Sequence, residues 1–226
     1  DAVLLVLGEN ESTNREAWSE KHLGDRDELG LIGRQMDLAR QVLALGKPTA
    51  VLLLGGRPLA VAELVEKARA VLVGFYLGQE TGPAVADVLF GSVNPSGKLP
   101  VTFPRTTGEL PVFYGHKASR MRTYLFRERT PGPLFPFGHG LSYTQFRYAG
   151  LSVSPARISA RDTADVTVEV TNVGRRAGSE VVQLYLTPKA SLPTRPVQAL
   201  RGFARVTLAP GETERVTFHI GPEALA

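Results

Sequence analysis

The sequence predicts an α/β fold: a doubly wound, mostly parallel sheet with helices on both faces, followed by an incomplete antiparallel β-sandwich. Three observations predict it. Over residues 1–104 short apolar runs alternate with segments of helical period, a pattern that implies a parallel sheet joined by right-handed crossovers. From Tyr148 onward the period is two, with turn residues between the runs, as in antiparallel strands. Between these halves lies an aromatic- and glycine-rich stretch with neither period. The expected division is an α/β domain over 1–110, a connector over 111–147 and a sandwich domain over 148–226.

Val3 to Leu7 is a continuous apolar run, the composition of a strand buried on both faces. Between Arg34 and Leu45, the apolar residues Met36, Leu38, Ala39, Val42, Leu43 and Leu45 fall at helical spacing. Gly46 ends that helix, with Lys47-Pro48 beyond it, because glycine accepts the left-handed cap and proline cannot continue the ladder. Thr49 to Leu54 is a second buried strand, stopped by Gly55-Gly56. Leu59 to Ala68 reads as a helix and Ala70 to Val73 as a third strand. Gly82-Pro83 then opens a helix through Phe90, with proline near its favoured first position. Gly55-Gly56 and Gly74 to Gly78 sit at strand ends, but neither fits a dinucleotide fingerprint or a P-loop, so both read as tight turns.

Asn94 to Pro104 is expected to supply one extended strand, which its prolines confine to an edge or an end. Phe135 to Tyr143 concentrates rings in one irregular segment and reads as a connector ordered by burial. Beyond it Val166, Val168 and Val170 alternate with polar residues, as do Val182, Leu184 and Leu186. Val206 and Leu208 lead into a turn at Ala209 to Glu212, and Val216, Phe218 and Ile220 share one face of the next strand. These are too few strands to close a sandwich.

The loop from Gly8 to Arg26 carries the chemistry. It leaves the first strand at the carboxyl edge of the sheet, where open α/β sheets bind their ligands. It is several times longer than an ordinary βα connection, the mark of a functional or disordered segment. The single tryptophan, Trp18, and His22 argue against disorder. With Glu9, Glu11, Glu16, Glu20 and Asp25 on it, the loop reads as one that presents a carboxylic acid to a substrate.

Composition excludes several other classes. The 226 residues carry a net charge of +4, with no clustered basic run, so no nucleic-acid partner is expected. There is no cysteine, hence no disulfide or thiolate chemistry. His22, His116, His139 and His219 lack metal-ligand spacing, so neither metal nor cofactor is expected. No apolar run reaches membrane-spanning length. The chain opens directly on an apolar run without a charged leader. No signal peptide is therefore expected within it, and it reads as a piece of a longer protein.

The motifs Gly8-Glu9, Arg15-Glu-Ala-Trp18, Gly24-Asp-Arg26 and Asn94 to Pro104 recur together with Pro136 to Thr144, Thr171 to Gly174 and Gly178 to Tyr185. In that order they resemble the C-terminal half of a family 3 glycoside hydrolase of the β-glucosidase/β-xylosidase type. The resemblance implies an α/β domain that lends an acid/base glutamate on a loop, then a fibronectin type III-like domain. It also implies an N-terminal TIM-like barrel, bearing the nucleophilic aspartate, as a partner outside this sequence. The substrate class is a β-linked oligosaccharide or glycoside, and the location secreted or periplasmic.

By the same resemblance Glu16 is the general acid/base, with Glu20 the runner-up. Glu9 stands third, since it abuts the strand and reads more readily as an anchor. Trp18, His116, Lys117 and Arg120 are candidate sugar contacts, each with a plain packing or surface role as the alternative. Asp25 and Arg26 are expected to shape the loop, while His22, His139 and His219 read as structural. Two other classes stay open: a non-catalytic carbohydrate-binding or interaction module, and a flavodoxin-like small-molecule binder. The missing phosphate loop weighs against the second.

Overall fold

The computed structural model describes residues 1–10, 13, 26–117, 132–159, 161–189 and 195–225. These form two compact units, one drawn from the stretches 1–82, 101–113 and 132–136, the other from 83–100, 114–117 and 137–225. The parallel sheet with its helices and the antiparallel strands that follow are those the sequence predicts.

The first unit is built on three parallel strands, β1 (Val3–Gly8), β2 (Thr49–Leu54) and β3 (Ala70–Phe75), in the order β1-β2-β3. Val3 stands opposite Thr49 and Ala50 opposite Ala70. Helix α1 (Gln35–Ala44) connects the first pair and α2 (Ala62–Lys67) the second. Val51, Leu52 and Leu53 are all buried, so the middle strand is covered on both faces. Strand β1 differs from the expectation. Leu5 and Leu7 are buried, whereas Leu4 and Val6 on its other face are about half exposed. It is the outer strand of the sheet.

Helix α1 ends as the sequence predicts, with Gly46 at φ 68 and its N–H donating to the carbonyl of Leu43. Helix α2 starts later than expected. Leu59 and Val61 are buried from an irregular segment, in which the Ala60 N–H donates to the Leu29 carbonyl. Packing there overrides helical spacing. The register of β2 on β3 slips after Leu53, and beyond the slip Phe75 adopts φ 49. That left-handed conformation is costly for a bulky residue. Its ring lies edge-on to Phe103, which in turn lies edge-on to Phe135.

The strand expected over Asn94–Pro104 does not form. Phe103 exchanges two backbone hydrogen bonds with Phe135 in the first unit, and Leu99 pairs with Gly138 and His139 in the second. These are isolated pairings, because Pro95, Pro100 and Pro104 have no N–H to extend a ladder.

The second unit opens with the remainder of helix α3 (Thr81–Leu89) and contains, among the described residues, five antiparallel strands. These are β4 (Phe146–Ser154), β5 (Ala164–Asn172), β6 (Gly178–Leu186), β7 (Ala199–Leu208) and β8 (Thr213–Ile220), forming sheets β4-β5-β8 and β6-β7. Val168, Val170 and Val216 from one sheet meet Val182, Val206 and Leu208 from the other in a single core. Full burial of such a side chain contributes about 1.5–3 kcal/mol. Asn172, fully buried, closes the end of β5. Its Nδ2 donates to the carbonyls of Arg176 and Leu208, and its Oδ1 accepts from the Thr144 hydroxyl and the Gly174 N–H. Asn94 is a second hub. It accepts from Ser142 and the Tyr143 N–H and donates to the Ala177 carbonyl. The Lys98 ammonium joins Glu180 to the Gly140 carbonyl.

Candidate active site at the carboxyl edge of the parallel sheet

Strand β1 delivers Gly8 and Glu9 to the edge where β2 delivers Gly55 to Arg57 and β3 delivers Phe75 and Tyr76. Gly8 has φ 148, and a Cβ there would collide with the Leu54 backbone. Only glycine permits that approach. The amide of Gln35, the first residue of α1, closes over it. Its Oε1 accepts from the Gly8 N–H and its Nε2 donates to the Gly8 carbonyl, each at 2.8 Å. The strand end and the helix start on either side of the long loop are thereby joined.

Glu9 follows, with its N–H on the Leu54 carbonyl and its side chain fully buried. The Arg57 guanidinium grips that carboxylate at two points, Nε to Oε1 at 2.5 Å and Nη2 to Oε2 at 3.2 Å. Arg26, its side chain 6% exposed, brings Nη1 to 3.6 Å from Oε2 and donates from the same nitrogen to the Gly30 carbonyl. A carboxylate and two guanidiniums thus share one largely dry site. Charged pairs in low dielectric hold their geometry tightly, because losing one partner strands the other. On entry to the loop, Asn10 and Thr13 cap each other: each backbone N–H donates to the other's side-chain oxygen at 3.0 Å.

Of the predicted site residues, Glu16, Trp18, Glu20, His22, Asp25 and Arg120 lie outside the described residues. Arg26 is described, in the loop stem, with the contacts to Glu9 and the Gly30 carbonyl given above. His116 and Lys117 belong to the second unit. There the Val197 N–H donates to the His116 carbonyl, and Lys117 pairs with Pro196 in an isolated bridge. Two stem residues escaped the sequence reading, Arg57 and Gln35. A glutamate directly after a buried strand calls for a cation, and Arg57, three residues beyond the neighbouring strand, was the signal available. Among the described residues no group of three His, Asp or Glu side chains is placed to hold a metal, and no helix is long and apolar enough to cross a membrane.

Residues 1–143 match the glycosyl hydrolase family 3 C-terminal domain, and residues 180–226 match the fibronectin type III-like domain. The chain belongs to glycosyl hydrolase family 3. It is 40% identical to a periplasmic β-glucosidase of Salmonella typhimurium over its whole length, and covers 30% of that protein. It is 42% identical, again over its whole length, to a β-xylosidase of Formosa agariphila and covers 31% of it. Among solved structures, a β-glucosidase from Erythrobacter marinus superimposes with a TM-score of 0.92 at 48% identity, over 99% of this chain and 30% of that one. A β-glucosidase from Listeria innocua, solved in complex with glucose, gives 0.86 at 36% identity, over 99% of this chain and 32% of that one. The chain thus spans roughly a third of the length of the relatives it matches.

Proposed function

We propose that this chain is the C-terminal part of a retaining, exo-acting β-glycosidase that removes terminal β-linked glucose or xylose, and that its long loop supplies the general acid/base, Glu16. The braced stem carries this reading. Gly8 is bonded to Gln35, and Glu9 is paired with Arg26 and Arg57. Both ends of an acidic loop are therefore held at the edge where α/β sheets present their chemistry. Retaining hydrolysis needs two carboxyl groups about 5–5.5 Å apart. One attacks the anomeric carbon. The other protonates the departing glycosidic oxygen, then takes the proton of the water that releases the sugar. Here the chain furnishes the second, and an N-terminal barrel of the longer protein furnishes the first. Trp18, His116, Lys117 and Arg120 border the sugar, and Asp25 with Arg26 sets the loop's shape. A periplasmic or secreted location follows the name of the Salmonella relative.

The test is Glu16→Ala in the longer enzyme. A sugar alkoxide leaves only if protonated, whereas an activated aryloxide leaves unaided. Losing general acid catalysis costs about 10²–10⁴-fold, so disaccharide hydrolysis is expected to collapse while glycosylation by activated aryl glycosides survives. Azide, which needs no deprotonation, then restores turnover. Glu20→Ala is expected to show neither effect. If leaving-group dependence and azide rescue appear in Glu20→Ala instead, the acid/base is Glu20. If they appear in neither variant, the loop is not the proton donor, and a non-catalytic carbohydrate-binding role takes its place.

A further inference from the structure

Glu9 is buried without being available for chemistry. Its side chain has no exposed surface, and its two oxygens are occupied by Arg57 Nε and Nη2. It is therefore not placed to reach a substrate oxygen. Stability alone does not account for it either, since buried ion pairs are often replaceable by apolar residues at no loss. The places its partners come from are more informative. Glu9 begins the loop that leaves β1, Arg26 is the first described residue at that loop's far side, and Arg57 lies three residues past the end of β2.

We propose that Glu9 is a positioning residue for catalysis. By bridging Arg26 and Arg57 it clasps both ends of the 10–25 loop to the carboxyl edge of the sheet, and so sets where the loop's proton donor stands. This rests on the acid/base reading of Glu16. Three features favour a clasp over a local anchor. The Arg57 contact is two-pointed, which fixes the carboxylate plane as well as its position. Arg26 is held a second time through the Gly30 carbonyl, so its guanidinium transmits the carboxylate's position to the returning chain. The Gln35 amide closes the strand-to-helix span by uncharged bonds to backbone, leaving Glu9 to tie the acidic loop itself.

The experiment has two arms. Trp18 is the chain's single tryptophan and lies inside the clasped loop, so its fluorescence reports that loop without a label. In the 226-residue chain, Glu9→Gln is expected to raise the acrylamide quenching of Trp18 at a temperature where circular dichroism shows the fold intact. In the longer enzyme, a displaced donor of about 1 Å costs on the order of 10²-fold. Glu9→Gln is therefore expected to lower kcat by that order for disaccharides, to spare activated aryl glycosides, and to gain turnover from azide. Glu9→Asp, which keeps the charge, is expected to recover part of the loss. Should Glu9→Gln fail to fold, Arg57→Lys serves both arms, since it keeps the charge and gives up the two-point grip. A folded variant whose Trp18 quenching and leaving-group dependence both match wild type overturns the clasp. If Glu16→Ala itself shows no leaving-group dependence, the acid/base reading fails, and the Trp18 arm alone decides the clasp.

Discussion

Asn172 offers a quantitative test of how the second unit is held together. Its side chain makes four hydrogen bonds: to the carbonyls of Arg176 and Leu208, and from the Thr144 hydroxyl and the Gly174 N–H. Truncation to alanine abandons all four partners, but not equally. Arg176 is exposed and Gly174 partly so, so water replaces Asn172 at those two. Leu208 is fully buried and Thr144 nearly so. Each stranded buried group costs about 1–3 kcal/mol, which puts Asn172→Ala at about 4 kcal/mol for the pair. For a chain of this size that corresponds to a fall in melting temperature of roughly 8–16 °C. Thr144→Val removes one donor and leaves the Asn172 oxygen still satisfied by Gly174, so it should cost only about 1 kcal/mol. Asn172→Asp sets an acceptor against two carbonyls and buries a charge, and should be the worst of the three at neutral pH. Urea unfolding followed by circular dichroism measures the series. An Asn172→Ala variant within 1 kcal/mol of wild type would refute the assignment of Asn172 as a buried hub.

Two further outcomes follow. The isolated 226-residue chain is expected to hydrolyse neither aryl glucosides nor aryl xylosides, since one carboxyl group cannot run a double displacement; turnover by material freed of contaminating hydrolases would contradict this. Burial, followed by the nearby Lys98 ammonium, lowers the pKa of His139 from 6.5. The unfolded chain therefore binds the extra proton first, and stability should fall as pH drops below about 6.5. His139→Gln should flatten that slope in urea titrations between pH 7 and 5.5, while an unchanged slope would place the titrating group elsewhere.

Much of the α/β part was legible because its signals are local. Thr49 to Leu54 is an unbroken apolar run bounded by Pro48 and Gly55, and its observed limits are the expected ones. Strand β4 had no such signature. It is exposed along nearly its whole length, so burial imprints no alternation on its sequence, and its pairing with β5 is interrupted between Ala149 and Ser152, with Gly150 at φ 63. The strand expected at 94–104 allowed for its prolines by placing it at an edge or an end, but with those N–H groups missing only the isolated pairings at Leu99 and Phe103 form. At the site, the sequence reads Glu9 as an anchor, because it abuts the strand end, and Arg26 as a loop-shaping residue. The pairing of Glu9 with Arg57 could not be read there, since it joins residues 48 apart in the chain. Gln35 is hidden for the same reason: its bonds to Gly8 span 27 residues and exist only once a parallel sheet has set β1 beside the start of α1.

The weaving of the two units along the chain bears on how such a sequence can be recombined. The backbone passes from one unit to the other after Gly82, before Val101, before Tyr114, again between 117 and 132, and before Phe137. No contiguous gene segment therefore encodes either unit whole. A graft of residues 137–225 from a relative would arrive without Asn94, which receives Ser142 and the Tyr143 N–H, and without Lys98, which meets Glu180. It would also lack Ser96, which accepts from Arg205, and Tyr114, whose ring stacks on Phe137. Chimeras within the family should therefore tolerate crossovers that carry residues 83–100 along with the sandwich strands. A break at the apparent seam near residue 147 should produce mismatched hubs instead, so the sandwich is inherited with its distant stretches rather than as a detachable module.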